Sequence, residues 1–304
     1  VSFILVSKEH RLIKQISELI SKNQLEIPVF YSNEIHLLSK NSSSRMLSFT
    51  AELAFIVNKF NQANIISIPL KGPIAAKQIY DDFTAKNSRD IDFLVKENQL
   101  EKCIEIIETQ GYINSYPFHS LSKKQKKAFQ KSNNQLAFFH PQKKMQVEIH
   151  WRLFANKNLL PLTFDELLKD SAQMVIGKTS INCLSNKHLL LYLCAHGSKH
   201  HWSLLYWLME VATLTQKVKF DWGAILNESK ALGVERPLVQ GLLLIEKLFK
   251  LNAPMVIKAY YQQNRIIQEL VETSREIIME EASFTQETSV SNYLKILNYK
   301  MKLS

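Results

Sequence analysis

The sequence has 304 residues, of which 46% are hydrophobic and 22% charged, ordinary values for a folded globular protein. With only 7 glycines and 8 prolines it favours a helix-rich fold, and the glycines lie too far apart for a Walker P-loop or a GxGxxG dinucleotide fingerprint. The net charge of +10 permits a polyanionic partner without requiring one.

Helices are predicted on both sides of a polar break near the start of the chain. Apolar residues recur at helical spacing from Leu12 to Ile20, so residues 1–45 are predicted to be mostly helical. The run KNSSS at 40–44 is interpreted as a break, whose serines can cap a second helix over about 45–63.

A strand–helix–strand–helix pattern follows. The apolar, β-branched run at 65–70 predicts a buried strand. Pro73 suits the first turn of the next helix, and a polar loop separates that helix from a second strand at 90–95. A helix over 97–110 then ends at Gly111, because glycine is typical just past a helix C-terminus.

The remaining elements complete the predicted architecture. A hairpin is predicted with strands at 135–139 and 145–151, and from about residue 155 the pattern is almost entirely helical. This order predicts an α+β fold, with a small mixed β-sheet core flanked by helices. The predicted divisions are an N-terminal helical segment, a sheet-containing domain and a C-terminal helical domain, at 1–45, 46–155 and 156–304.

The cysteines and the apolar runs bear on location. Cys103, Cys183 and Cys194 are isolated, so buried structural thiols in a reducing cytoplasm are expected rather than a zinc site or disulfides. No apolar run approaches the ~18 residues of a membrane span, so no membrane partner is predicted. The opening VSFILVSKEH lacks the features of a signal peptide, and because it does not start with methionine we expect a trimmed chain.

Two aspartates on the second predicted strand are the first candidates for chemistry. Alternation along a strand sends Asp90 and Asp92 to the same face, among apolar neighbours. A DxD pattern alone usually marks a surface strand or turn, but carboxylates on a buried strand are costly unless a cation compensates them. Oxygen ligands favour Mg²⁺ or Mn²⁺.

Glu148 supplies a third carboxylate from the hairpin, on the same strand face as His150. Three carboxylates from neighbouring strands can hold two metals roughly 3.5–4 Å apart, the arrangement for in-line transfer at phosphorus. His150 either orients Glu148, meets substrate, or is a satisfied core histidine.

Each basic side chain near these carboxylates has two possible roles. Lys71 either contacts triphosphate oxygens or is solvated at the end of a strand. Arg89 precedes the first aspartate and faces away from it, so a structural salt bridge and a substrate contact are both open.

A polar face is also predicted on the helical half, where His196, Lys199 and His200 recur at i, i+3 and i+4. The histidine pair has zinc-ligand spacing, but a third ligand is not evident. Since a buried cation requires a partner, we expect this face to meet nucleotide phosphate as the helical half closes over the sheet.

A cluster of lysines precedes the hairpin, in a segment predicted to be a loop. It is either a solvated surface or a contact for an acidic or nucleic-acid partner. Its members are Lys123, Lys124, Lys126, Lys127 and Lys131.

Several of these strings resemble a known family. LKG at 70–72, RDIDFLV at 89–95, VEIHW at 147–151 and the helical H-x-x-K-H-x-W from His196 resemble an uncharacterised nucleotidyltransferase-like family of bacterial proteins. That family belongs to the DNA polymerase β-type nucleotidyltransferase superfamily. The resemblance covers roughly residues 45–215 and implies a nucleotidyltransferase core.

The resemblance implies roles for individual residues. Asp90 and Asp92 would be the first two metal ligands, and Glu148 the third carboxylate, which also activates an acceptor hydroxyl. Gly72 would be the glycine of the first strand-to-helix turn, where backbone approaches triphosphate. Lys86 stands where the family often has arginine.

Two positions depart from the family pattern. The superfamily's Gly-Gly or Gly-Ser pair is Lys-Gly-Pro here, at 71–73. The acidic residue after the Trp207 segment is Glu210, where aspartate is more usual.

The predicted function is metal-dependent transfer of a nucleotidyl group from an NTP to an unidentified acceptor hydroxyl. The acceptor candidates are RNA, a protein side chain, a sugar and a small molecule. One alternative is a degenerate fold that serves as a non-catalytic binding module, and another is a phosphotransferase on the same fold. The presence of all three carboxylates favours an enzyme.

Overall fold

The computed structural model describes residues 3–281 and 298–303, in which helices precede and follow a region of mixed strands and helices. The fold is α+β as predicted, with a five-stranded mixed sheet, a separate hairpin and C-terminal helices. The elements are α1 (Phe3–Glu9), α2 (Ile13–Asn23), α3 (Val29–Gln62), β1 (Ser67–Pro69), α4 (Gly72–Tyr80), β2 (Asp90–Val95), α5 (Leu100–Thr109), β3 (Ile113–Asn114), α6 (Lys123–Ser132), β4 (Gln135–His140), β5 (Met145–His150), α7 (Phe164–Lys169), β6 (Ala172–Ile176), β7 (Thr179–Cys183), α8 (Asn186–Lys199), α9 (Leu205–Lys217), α10 (Trp222–Ala231), α11 (Glu235–Phe249), α12 (Met255–Gln262) and α13 (Arg265–Glu281).

The chain forms two compact units. The first, here called the sheet unit, comprises Lys40–Lys157 and Pro161–Leu189. The second, here called the helical unit, comprises Val1–Ser39, Asn158–Leu160 and Leu190–Ser304. The N-terminal helices and the C-terminal helices therefore belong to one unit.

The large sheet has the strand order β1-β2-β5-β4-β3. β2 and β5 are parallel neighbours at its centre, and the other pairs are antiparallel. In the parallel pair, Asp92 lies opposite Glu148 and Leu94 lies opposite His150. Strand pairing therefore sets the candidate carboxylates side by side.

The apolar face of the sheet packs into the main hydrophobic core of the sheet unit. Ile91, Phe93 and Val95 of β2 are buried in it with residues from α3, α5 and β5. The rings of Phe60 and Phe93 meet edge to face, with centroids 5.6 Å apart. Because side chains alternate along a strand, this burial turns Asp90 and Asp92 to the opposite face.

The predicted break at residues 40–44 is wrong, because α3 runs without interruption from Val29 to Gln62. Serine and asparagine carry only a modest helix penalty, and the whole span lacks glycine and proline. Within the helix, Ile35, Met46 and Phe49 are buried. Tertiary packing thus overrides a weak local signal.

The lysine-rich segment is also a helix, α6, rather than the predicted loop. Ser122 and Gln125 form a reciprocal capping box at its start. At its end, the Arg152 guanidinium donates to the backbone carbonyls of Gln130, Lys131 and Asn133. The S-x-x-Q signature was readable in the sequence, whereas the distant arginine was not.

A third correction concerns the region after residue 155, which was predicted to be almost entirely helical and contains two strands. β6 and β7 form an antiparallel hairpin. Gly177 provides its turn with a φ of +60°, a left-handed conformation that favours glycine. Ile181 and Cys183 bury one side of this hairpin in the core of the sheet unit. A short strand pair between helical stretches carries too little periodicity to stand out.

The helical unit is organised around a buried glutamine. α11 packs against α9 and α13. From α11, Gln240 accepts hydrogen bonds from the hydroxyl of Ser198 and the indole N–H of Trp202, and it donates to the hydroxyls of Ser274 and Tyr299. Every polar group of this buried amide therefore has a partner.

Protonation of His201 should make the helical unit less stable in mild acid. Burial, reinforced by Lys300, lowers the pKa of His201 to about 4, from an ordinary 6.5. The neutral ring is favoured in the folded state, so stability is full above pH 6.5 and falls as pH drops toward 4. We expect His201→Gln to flatten the loss in urea-unfolding free energy between pH 7 and 5. The exposed His36, changed to Gln, is the control; a slope shared by both variants and the wild type would contradict the prediction.

The three cysteines are buried, as the sequence predicts. Cys103, Cys183 and Cys194 are buried free thiols. Burial raises the pKa of Cys103 to about 12 and that of Cys183 to about 11, so both are unreactive at neutral pH. Over residues 3–281 and 298–303, every helix is too short or too polar to cross a membrane.

Candidate metal centre

The polar face of β2 and β5 carries the candidate site. Along β5, Gln146, Glu148 and His150 alternate with the buried Met145, Val147 and Ile149. The parallel register brings Asp92 level with Glu148. Residue spacing predicted that the polar side chains of each strand share a face. Strand pairing then joins the two polar faces into one cluster.

Asp92 lies at the centre of the cluster, with a fully buried side chain. The Lys71 ammonium lies 3.3 Å from its Oδ2, and His150 Nε2 lies 3.2 Å from its Oδ1. Burial would raise the pKa of Asp92, but Lys71 and the hydrogen bond from His150 outweigh it and hold that pKa well below its usual range. Asp92 is therefore a carboxylate at neutral pH.

Oδ2 of Asp92 accepts no hydrogen bond from the residues that the structure describes, although it is buried. Its ion pair with Lys71 lacks hydrogen-bond geometry. A buried carboxylate oxygen without a hydrogen bond is costly unless a cation takes up its lone pairs. Lys71 supplies one positive charge to this oxygen without a hydrogen bond, and the oxygen can also take a metal ion.

Glu148 is held by two amides. Gln135 Nε2 donates to its Oε2 at 2.5 Å, and Gln146 Nε2 donates to its Oε1 at 2.8 Å. Sequence reasoning missed both glutamines. The sequence contained a signal for both. Gln146 lies two residues before Glu148, on the same face of β5, and Gln135 is paired with His150 across the hairpin.

His150 joins the two carboxylates. It is buried, and its Nε2 lies 3.2 Å from Asp92 Oδ1 and 3.4 Å from Glu148 Oε2. Burial would lower the pKa of His150, but the hydrogen bonds to Asp92 and Glu148 outweigh it and raise that pKa above its ordinary value. The histidine is thus part of the carboxylate cluster rather than an isolated core residue.

These three residues satisfy a geometric test for a metal centre. Asp92, Glu148 and His150 each offer a ligand atom, and these atoms lie within 4.8 Å of one another. They are the one such group of three or more His, Cys, Asp or Glu residues in the described parts of the chain. For the pair His196 and His200, the described residues supply no third ligand of these types.

Asp90 stands beside this group without being a member of it. Burial raises the pKa of Asp90, and repulsion from Asp92 and then Glu148 adds to the rise, while Lys71 and Lys86 oppose it. Asp90 therefore lies within electrostatic reach of both other carboxylates. Repulsion among these three acidic groups is reduced by nearby cations, here Lys71 and Lys86.

The turn between β1 and α4 brings a glycine and a lysine to the cluster. Gly72 has a φ of +68°, in the left-handed region, and a Cβ there would lie 3.8 Å from the carbonyl oxygen of Asp90. The neighbouring Lys71 is mostly buried in its ion pair with Asp92. It is therefore not a solvated lysine at the end of a strand, which was one of its two interpretations from the sequence.

The two remaining basic candidates of the sheet unit differ in their exposure to solvent. Lys86 is buried, with 4% of its surface exposed, and its charge acts on Asp90. Arg89 is exposed, directly before β2. Their roles as substrate contacts stay predictions.

In the helical unit, His196, His200 and Trp207 form an aromatic cluster. The ring centroids of the two histidines lie 4.8 Å apart, and that of Trp207 lies 5.4 Å from His196 and 5.3 Å from His200. Lys199 is exposed at the end of α8. That these side chains meet nucleotide phosphate stays a prediction.

Two further positions named from the sequence lie in the core of the helical unit. Trp202 is fully buried. Glu210, where the family more often has aspartate, is 1% exposed in α9.

Comparison with known proteins agrees with the resemblance drawn from the motifs. A family model described as an uncharacterised nucleotidyltransferase matches residues 2–250, so the chain belongs to that family. No curated protein matches the sequence.

Proposed function

We propose that this protein transfers a nucleotidyl group from an NTP to an acceptor hydroxyl, with Mg²⁺ or Mn²⁺ held by Asp90, Asp92 and Glu148. The observation that carries the proposal is the buried Oδ2 of Asp92, which accepts no hydrogen bond from the described residues, in a cluster of three carboxylates. Membership of a nucleotidyltransferase family supports the reaction class.

The donor set fits a hard divalent cation. Carboxylate oxygens are the ligands that Mg²⁺ and Mn²⁺ prefer, and repulsion among Asp90, Asp92 and Glu148 is relieved when a cation binds. A metal bound there would neutralise triphosphate charge and stabilise the pyrophosphate leaving group.

The side chains of the chain supply the other steps. Glu148, 12% exposed and fixed by two glutamines, would accept the proton of the acceptor hydroxyl. Lys71, already a partner of Asp92, would contact phosphate oxygens at the turn that Gly72 opens. Lys86, Arg89 and, from the helical unit, His196, Lys199 and His200 are further proposed substrate contacts.

Labelled nucleotides decide among the possible activities. The protein is incubated with Mg²⁺ or Mn²⁺, cell extract and an NTP labelled at either the α- or the γ-phosphate. Label transferred only from the α-position supports nucleotidyl transfer, and transfer only from the γ-position would establish a phosphotransferase instead. Binding of NTP with neither transfer would indicate a non-catalytic binding module.

A matched pair of glutamates ties any transfer to the site. We expect Glu148→Gln to lower it by about 10²-fold, within the range for loss of a general base. Glu105→Gln, on the exposed face of α5, should leave it unchanged. Equal activity of the two variants would remove Glu148 from the mechanism.

We also propose RNA as an acceptor, on the strength of α6. Its lysines are mostly exposed, and the helix from Lys123 to Ser132 contains no acidic residue. Lys126 is the exception, since it pairs with Glu101 at 2.8 Å. A basic helix that leads into the hairpin of Glu148 suits a polyanionic strand.

RNA binding through α6 should depend steeply on salt. Changing Lys123, Lys124, Lys127 and Lys131 to Gln should weaken binding and reduce the slope of log K against log salt by about 0.7 per lost phosphate contact, with NTP binding unchanged. Lys126→Gln is the control, because that lysine is already paired. If the wild-type protein binds no RNA at low salt, the acceptor is a protein, sugar or small molecule.

A further inference from the structure

Asn134, which directly precedes β4, is a buried residue beside the carboxylate cluster. Its Nδ2 lies 3.2 Å from His150 Nδ1 and 3.4 Å from each of the backbone carbonyl oxygens of Arg152 and Leu153. Carbonyl oxygens only accept hydrogen bonds, so the end of the amide that faces them must be the NH₂ group. The orientation of Asn134 is therefore fixed by its backbone partners.

This orientation places the proton of the neutral His150 ring. Nδ1 faces an N–H donor, so it carries the lone pair, and the proton is on Nε2. Nε2 in turn lies 3.2 Å from Asp92 Oδ1 and 3.4 Å from Glu148 Oε2. The opposite tautomer would set two N–H groups against each other at Nδ1 and a lone pair against two carboxylates at Nε2.

We propose that Asn134 is a positioning residue, which acts through His150 to hold Asp92 and Glu148 in place. In this arrangement His150 donates its Nε2 proton to both carboxylates and is not itself a metal ligand. One oxygen of each carboxylate is held by the ring. The buried Oδ2 of Asp92, which is ion-paired with Lys71 but accepts no hydrogen bond, is the oxygen that a metal would meet. The inference rests on the proposed function only for the presence of a metal ion at these carboxylates.

The tautomer can be read directly in the wild-type protein. Long-range proton–nitrogen NMR spectra of the metal-free protein, recorded where the ring is neutral, distinguish a protonated imidazole nitrogen from one with a lone pair. The signal of His150 is assigned by its loss in His150→Gln. A protonated Nε2 with a lone pair on Nδ1 supports the proposal, and the reverse pattern overturns it.

Two variants test whether Asn134 sets this state. Asn134→Asp keeps the side-chain shape but replaces the donor with an acceptor, so Nδ1 should become protonated. Asn134→Ala should weaken binding of Mn²⁺ alone by about 10-fold or more, the effect typical of removing a residue that orients metal ligands. Asn133→Ala, the adjacent asparagine, is the matched control and should bind Mn²⁺ like the wild type.

The outcomes separate this inference from the proposed function. If Asp92→Asn abolishes Mn²⁺ binding while Asn134→Ala leaves it intact, the positioning role is wrong and the metal site stands. If Asp92→Asn leaves Mn²⁺ binding intact, the proposed metal site is wrong, and the nitrogen spectra of the wild type and Asn134→Asp alone decide the role of Asn134. Thermal melting of each variant shows whether it is folded. The tautomer of His150 in the wild-type protein can be determined even if a variant does not fold.

Discussion

Replacing Asp90 with asparagine should strongly lower nucleotidyl transfer and, at the same time, stabilise the metal-free protein. The proposed metal loses a charged ligand, and loss of a preorganised charge of this kind lowers turnover by about 10²-fold or more. The gain in stability has a separate origin. Burial and repulsion from Asp92 raise the pKa of Asp90, so its ionised form is disfavoured in the folded state.

The sign follows from linkage between protonation and folding. A carboxyl whose pKa is raised on folding binds its proton more readily in the native state, so stability falls as pH rises through that range. Asparagine has no charge to disfavour, and it should therefore raise the melting temperature at pH 7 in EDTA. Adding Mg²⁺ should stabilise the wild type, since a ligand that binds only the folded state does so, but not the variant.

Asp165→Asn is the matched control, because that carboxylate is 72% exposed on α7. Neither transfer nor the Mg²⁺-dependent shift should change there, as surface charge substitutions usually have small effects. An Asp90→Asn protein that transfers label at the wild-type rate would exclude Asp90 from the mechanism. A variant that melts below the wild type in EDTA would show that Asp90 stabilises the fold instead.

The sequence was most informative where local pattern and tertiary environment agree. β2 has the bounds predicted for it, because Ile91, Phe93 and Val95 alternate with Asp90, Asp92 and the buried Leu94, and the apolar face is buried in the core. The same period-2 pattern gave the hairpin of β4 and β5, although not the pairing that sets Asp92 opposite Glu148. Strand order is a non-local property, so a single strand's pattern does not contain it.

Other site features depend on contacts between distant parts of the chain. The Gln135 and Gln146 clamp on Glu148 requires the register of the hairpin, and the orientation of Asn134 requires two carbonyl groups beyond β5. Asn and Gln are common in loops and on strand faces, so neither residue type signals a role without the geometry. The carboxylates could be predicted as site residues because burying a charge in an apolar strand is costly without a partner. Burying an amide costs much less, so an amide gives no comparable signal.

Substituting alanine for Gly197 should destabilise the helical unit, although alanine is the better helix former. A Cβ at this position in α8 would lie 2.4 Å from the indole ring of Trp202, closer than atoms can approach. The chain turns sharply after α8, with His201 and Trp202 both in the left-handed region, and this folds the indole back onto the helix. The same ring leaves only 2.8 Å for a Cβ at Gly241 on α11.

The indole is therefore confined between two helices at positions where only glycine fits. Its N–H also donates to Gln240 at 3.2 Å, so a shift of the ring would break a hydrogen bond in the buried network. Overpacking of a tight core costs about 1–3 kcal/mol, and the broken bond adds to this. The gain in helix propensity of about 1 kcal/mol offsets only part of the loss.

Gly223→Ala provides the control within the same unit. A Cβ there meets its nearest atom, Asp221 Oδ1, at 3.5 Å, which is ordinary contact. This variant should melt at or slightly above the wild-type temperature, while Gly197→Ala should melt several degrees lower and unfold at a lower urea concentration. Adding Trp202→Phe to Gly197→Ala should cost less than the two single losses combined, because the smaller ring relieves the clash. If the stability losses of Gly197→Ala and Trp202→Phe add up in the double variant, the indole does not press on Gly197. Equal melting temperatures of Gly197→Ala and Gly223→Ala would show the same.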